Sequence, residues 1–176
     1  MTAKTFFNKV ANGKRDILTE FVELLKKENI SYCLIGGLAV NVYAETLISL
    51  DVDIVVAVDN IDRLLSVLPK EWKVKYERFS INISSPDSEL RIQILLDTRY
   101  QDFIGRAVKG SALGHEFSVA LLEDVLQEKL WALSDPERRE SKRLKDRLDV
   151  SRLVEAHPEI FSMAIGKQVK EILSKH

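Results

Sequence analysis

The chain has 176 residues, 45% of them hydrophobic and 30% charged, with 26 Lys and Arg against 27 Asp and Glu for a formal net charge of −1. That balance belongs to an ordinary folded domain rather than a disordered or membrane-embedded chain, and it supplies no overall field toward nucleic acid or anionic lipid. The single cysteine, Cys33 in an apolar run, excludes an internal disulfide and a Cys-rich metal centre and reads as core filler. Residues 1–16 hold no sustained apolar stretch, so neither a secretory signal nor a membrane span is expected and the cytoplasm is the default compartment.

Apolar residues from Phe6 to Leu25 recur at helical spacing and predict an amphipathic helix to about Lys27, interrupted near Asn12 and Gly13. Residues 32–35 read as a short apolar strand that stops at Gly36 and Gly37, with a helix over 38–44 starting there. A strand over 51–58 and a helix over 61–68, ended by Pro69, complete a strand-helix-strand-helix order that implies an α/β fold. Further strands over 72–79, 81–83 and 90–96, and a short one over 117–120, make the sheet mixed. Helices are predicted over 121–133, 142–155 and 163–174, giving an α/β core over 1–120 and a helical extension over 121–176 packed on it as a single compact unit.

Asp51 and Asp53 sit one residue apart on a predicted strand, and the period of two puts both carboxylates on one face. Two close carboxylates in an apolar strand repel each other and cost desolvation unless a cation neutralises them. Mg²⁺ suits such a pair, because it takes one or two carboxylates and completes its shell with substrate phosphate oxygens. Two exposed aspartates at a strand mouth explain the spacing equally well. Gly36 and Gly37, about fourteen residues earlier, allow close backbone approach to a phosphate and aim a helix N-terminus at it, with Ser49 as a candidate hydroxyl donor.

The segment Ile35-Gly36-Gly37-Leu38-Ala39-Val40, followed by Ser49-Leu50-Asp51-Val52-Asp53-Ile54, resembles the nucleotidyltransferase superfamily, the polymerase-β-like group. The resemblance implies a nucleotidyltransferase-like mixed sheet flanked by helices, with Asp51 and Asp53 as metal ligands and Gly36, Gly37 and Ser49 binding the triphosphate. Two positions depart from the pattern. Leu47 stands where the family often has Arg, and Gln93, in Leu90-Arg91-Ile92-Gln93-Ile94, stands where a third Asp is usual. An amide supplies no negative charge and accepts no proton. Asp97 has the same strand parity but lies roughly 13 Å further along an extended chain, and Arg91 shares the parity as a candidate phosphate contact or a solvated surface residue.

Further on, Gln127-Glu128-Lys129-Leu130 and Arg143-Leu144-Lys145-Asp146-Arg147-Leu148-Asp149 resemble the later motifs of the AbiEii-type branch. That resemblance implies that Lys129 contacts phosphate and that Asp146 or Asp149 joins the catalytic set. Helix spacing is compatible, since Asp146 and Asp149 share one face and Leu144, Leu148 and Leu153 are expected to anchor the other. The resemblance is compatible with an RNA acceptor, a toxin-like role and a cognate protein partner. The plainer reading is a solvated Lys129 and a surface helix laced by Lys142–Asp146 and Lys145–Asp149 pairs. Residues 137–152 carry seven basic against four acidic side chains, so Arg138, Arg139, Lys142, Arg143 and Arg147 either guide an RNA acceptor or solvate the helix. His115, His157 and His176 show no metal-ligand spacing, and Trp72 and Trp131 read as packing residues. The expected activity is transfer of a nucleoside monophosphate from an NTP to an acceptor hydroxyl. The alternative is a non-catalytic module of the same fold that binds nucleotide or a protein partner.

Overall fold

The computed structural model describes residues 1–174, so the reading of His176 lies outside the described residues. The first helical segment is two helices. α1 (Ala3–Val10) is capped by the Thr2 hydroxyl, which accepts from the Thr5 amide, and α2 (Ile17–Lys27) by the Asp16 carboxylate, which accepts from Thr19. Between them Asn12 takes φ 48°, a left-handed conformation that an amide side chain tolerates, and the interruption expected there follows.

The wholly buried β1 (Tyr32–Ile35) feeds α3 (Gly36–Tyr43), which returns the chain to β2 (Asp51–Val56). Next come α4 (Ile61–Val67), β3 (Lys73–Tyr76), β4 (Ser80–Ser84) and β5 (Arg91–Leu95). They are followed by α5 (Gln101–Arg106), β6 (Val108–Ala112) and β7 (His115–Val119), then α6 (Leu122–Ser134), α7 (Glu140–Ala156) and α8 (Gly166–Leu173). The strands form one mixed sheet in the order β3-β4-β5-β2-β1-β7-β6. β1 runs antiparallel to β2 although a helix connects them, while β2 with β5 and β1 with β7 are parallel. The α/β class and the mixed sheet agree with the sequence.

Its pattern predicts neither α5 nor β6. α5 has six residues, too few to display a 3.6-residue period, and β6 is an edge strand interrupted by Gly110. That glycine lets α3 lie close, because a Cβ there would come within 2.7 Å of Val42 Cγ1 and 2.9 Å of Val119 Cγ2. The core is continuous from α2 across the sheet to α6, with Phe21, Leu34, Ile54, Ile83, Ile94 and Leu126 fully buried. Trp72 stacks on Phe21 at a centroid distance of 6.3 Å, as a packing residue should. Burial pushes the Cys33 thiol up to about 12, which makes it unreactive filler.

α7 corrects one expectation. Leu144 and Leu148 are 59% and 50% exposed, while Asp146, Asp149, Val150, Arg152 and Leu153 face inward. Only Leu153 of the three leucines anchors the helix. Charge decides the face, because Lys129 on α6 is buried and Asp146 and Asp149 supply its counter-charge. Arg152 then ties α7 to the end of α3 through Asn41 Oδ1 at 2.8 Å and the Glu45 carbonyl. Among the described residues no helix is long and apolar enough to cross a membrane.

Candidate active site

Alternation along β2 sends Val52 and Ile54, each 1% exposed, into the core and leaves Asp51 and Asp53 together on the other face. Asp53 is in register with Ile35, the last residue of β1, so its carboxylate lies against the start of α3. Gly36 there has φ 68°, and a Cβ would overlap the Asp53 carboxylate, so the position accepts only glycine. Gly37 has room to spare: a Cβ would meet nothing nearer than Lys145 Nζ at 3.7 Å and would stand in the cleft that Gly37 lines. Among the described residues no side chain caps the N-terminus of α3, which leaves its first N–H groups open to an anion.

The cleft has a volume of about 850 Å³. Asp51, Asp53 and Gln93 form its sheet wall, and Glu128, Lys129, Lys142, Lys145 and Asp146 face them from α6 and α7. Lys129 is 3% exposed, so the solvated reading is excluded. Its Nζ stands 3.2 Å from Asp149 Oδ2, 3.3 Å from Asp146 Oδ1 and 3.4 Å from Glu128 Oε2. Arg138 bonds the far side of Asp146 at 2.7 Å and Arg152 that of Asp149 at 2.8 Å, so both aspartates serve a buried network instead of surface pairs with Lys142 and Lys145. Burial works against the Lys129 ammonium, but Glu128, Asp149, Asp146 and Asp53 outweigh it and hold its pKa above the ordinary lysine value.

Asp53 is held above the ordinary carboxylate range by burial, against the pull of Lys129 and with repulsion from Asp51 added. Asp51 is 2.9 Å from an Arg91 guanidinium nitrogen, a cation supplied by the neighbouring parallel strand. Asp97 reaches the cleft but its carboxylate is taken by Arg99, at 2.6 Å, as the cap of a short 3₁₀ turn, so it does not stand in for the carboxylate that the resemblance leads one to expect at position 93. The Ser49 hydroxyl accepts from the Asp51 amide at 3.3 Å and lies beside the cleft rather than in its wall. Exposed Leu47 is clasped through its backbone by the Asn41 side chain.

Glu128 belongs to a sequence motif that assigns it no role of its own. The available signal is its place at the margin of the buried stripe formed by Val125, Leu126, Lys129 and Leu130. Trp131, expected as packing, is half-buried in the cleft wall, with Phe103 parallel at 6.0 Å and Arg99 over its ring at 4.7 Å. Of the basic cluster, Arg138, Lys142 and Lys145 line the cleft. Arg143 instead donates to the carbonyls of Leu133 and Arg138 at 2.8 and 2.9 Å, closing the turn between α6 and α7. His115 bonds Asp16 and His157 the Tyr43 carbonyl, both structural contacts.

Among the described residues no three or more His, Cys, Asp or Glu side chains form a metal cage. Two carboxylates opening on a cleft, with a helix N-terminus beside them, are nonetheless the donor set that suits Mg²⁺ completed by substrate oxygens and water. The residues present fit that ion.

No protein-family model and no curated protein sequence matches the chain. Solved structures share its fold. An antigenic nucleotidyltransferase-like protein from Paracoccidioides brasiliensis superposes with TM-score 0.58 at 18% identity, over 90% of this chain and 84% of that one. ANT(2'')-Ia in complex with adenylyl-2''-tobramycin gives 0.60 at 12% identity, over 90% and 96%. The lincomycin-bound lincosamide antibiotic adenylyltransferase LnuA gives 0.56 at 12%, over 80% and 98%. The fold is therefore nucleotidyltransferase-like.

Proposed function

We propose that the protein is a Mg²⁺-dependent nucleotidyltransferase that moves a nucleoside monophosphate from an NTP to an acceptor hydroxyl and releases pyrophosphate. The observation that carries this reading is the placement of Asp51 and Asp53 beside the Gly36-Gly37 turn, facing Lys129 across one cleft. Asp51 and Asp53 would hold Mg²⁺, which supplies charge neutralisation at the triphosphate and polarises its α-phosphoryl group. Gly37 and the first N–H groups of α3 receive phosphate oxygens, and Lys142 and Lys145 offset their charge at the mouth. Ser49 supports the turn through the Asp51 amide. Lys129 acts from within the protein, with Asp146 and Asp149 setting its position.

The Glu-Lys-Leu and Asp-x-x-Asp segments favour the AbiEii-type branch, and the cationic mouth favours an anionic acceptor such as RNA, with a toxin-like role, a cognate protein partner and a cytoplasmic setting as corollaries. Two of the proteins sharing the fold are bound to adenylyl-2''-tobramycin and to lincomycin, which adds small hydroxyl compounds to the acceptors worth testing. A non-catalytic nucleotide-binding role is the second reading. Gln93 and the Arg91–Asp51 contact favour it, because the first withholds a carboxylate and the second competes for one.

Thermal unfolding with each of the four NTPs, with and without Mg²⁺, is expected to show stabilisation that needs both. Transfer of label from α-labelled NTP to bulk RNA or to small hydroxyl compounds then separates enzyme from binding module. Mg²⁺-dependent stabilisation that survives Asp51→Asn with Asp53→Asn overturns the site.

A further inference from the structure

We infer that Glu128 is the proton acceptor of the transfer reaction, in the role that Gln93 cannot fill. This rests on the nucleotidyltransferase reading above. Glu128 is 7% exposed and its side chain lines the same cleft as Asp51 and Asp53, with Oε2 fully buried on the Lys129 side. The nearest cation, Lys129 Nζ at 3.4 Å, is shared with Asp146 and Asp149, both closer. A buried carboxylate that shares one ammonium with two others is incompletely compensated, and native proteins seldom keep such a group without a reason. An acceptor hydroxyl entering the cleft can donate to the carboxylate that lines it.

The groups facing Glu128 come from every element around it: Lys129 on its own helix, Asp146 of α7 with Arg138 bonded behind it, Asp53 of β2, and Tyr100 from the turn before α5. Burial raises its pKa, and repulsion from Asp146 and Asp53 adds to this against the opposing pull of Lys129. The result lies above the ordinary glutamate range, on the side a general base at neutral pH requires. In the reaction, the acceptor oxygen forms a bond to the α-phosphorus and the bond to the α–β bridging oxygen breaks, so pyrophosphate leaves with that electron pair. The hydroxyl proton passes to the Glu128 carboxylate and then to solvent, so the step balances without a further reactant.

Glu128→Gln keeps the shape and removes the base. The probe is Mg²⁺-ATP with water as acceptor, read as AMP and pyrophosphate across pH, with Mg²⁺-ATP binding followed by calorimetry. The Gln variant is expected to bind ATP yet lose about 10²- to 10⁴-fold in rate and lose the acidic limb of the pH profile. Glu128→Asp should keep that limb at an intermediate rate, and it carries the test if the Gln variant fails to fold. A role confined to holding Lys129 in place slows the reaction and leaves the limb intact. Infrared titration gives a readout without turnover: a protonated-carboxyl band titrating above the ordinary glutamate range in wild type and missing from Glu128→Gln. Wild type that neither binds nor hydrolyses ATP defeats the nucleotidyltransferase reading and this one with it. Wild-type turnover that Glu128→Gln matches in rate and pH profile defeats this inference alone, whereas ATP binding without turnover defeats the transfer reading and this one together.

Discussion

Gln93 stands directly opposite Asp53 across the parallel β2–β5 pair, and Asn82 of β4 stands opposite Gln93 in turn. The row of the sheet bordering the cleft therefore passes from carboxylate to amide to amide. Position 93 is where a further charge would act on a cation held by Asp53. Gln93→Asp is expected to tighten Mg²⁺ binding in the presence of a non-hydrolysable ATP analogue by about tenfold, equivalent to about 1.4 kcal/mol of added attraction. The same change should lower apo stability, since two carboxylates then face each other across the strands. Calorimetric titration of Mg²⁺ checks it, and unchanged affinity would show that residue 93 does not act on the ion.

The raised pKa of Asp53 makes a stability statement with a definite sign. Between the ordinary carboxylate value of 3.8 and the higher folded value, the native state binds more protons than the unfolded chain, so the contribution of Asp53 to stability falls as pH rises through that window. Asp53→Asn escapes this loss. Its melting temperature without metal should match wild type at pH below the window and exceed it increasingly toward neutral pH. Addition of Mg²⁺ and NTP should reverse the order, because only wild type gains ligand stabilisation. A difference that does not vary with pH would place its origin in packing rather than in protonation.

Much of this site is legible in the sequence. The glycine turn and the parity of Asp51 and Asp53 are local properties of one strand and its neighbour, and strand periodicity transmits them faithfully, whereas Gln93 stands out only against the pattern of the family the segment resembles. Which face of α7 turns inward is not legible in the same way. Leu144 and Leu148 offer an apolar face, yet the helix buries Asp146 and Asp149, because their partner Lys129 belongs to another helix and the pairing is tertiary. The same cause hides Glu128, whose significance depends on being walled off together with Asp53 and Asp146. β6 escapes detection for a third reason, since Gly110 answers to the approach of Val42 and not to strand propensity.

Lys129 contacts Glu128, Asp146 and Asp149 together, so its removal strands buried charge. Lys129→Met is expected to destabilise the fold by about 3–5 kcal/mol, the cost of breaking a buried pair by deleting one partner. Denaturant unfolding measures it. Asp149→Asn added to Lys129→Met should recover part of the loss, because one carboxylate fewer is then left without its ammonium, although Arg152 stays bonded beside it. A loss below about 1 kcal/mol, typical of exposed pairs, would mean that water reaches the network. Activity lost in Lys129 variants is interpretable only once this stability term is known.

The two glycines answer to different demands, and alanine at each should separate folding from binding. At Gly36 the added methyl meets the Asp53 carboxylate while the backbone holds φ 68°, so Gly36→Ala strains the chain and displaces the carboxylate proposed to hold Mg²⁺. A stability loss of about 1–3 kcal/mol is expected, with Mg²⁺-NTP binding lost as well. At Gly37 the methyl has clear space, Lys145 Nζ being 3.7 Å away, and alanine inside the first turn of α3 favours the helix. Gly37→Ala should therefore unfold at the wild-type temperature or slightly above it, yet bind Mg²⁺-NTP more weakly because the methyl stands where phosphate oxygens approach the N–H groups of α3. Thermal unfolding and calorimetry of the two variants decide the point. If Gly37→Ala binds nucleotide as wild type does, the triphosphate does not lie along the glycine turn, and its place must be sought nearer Arg138 and Lys142.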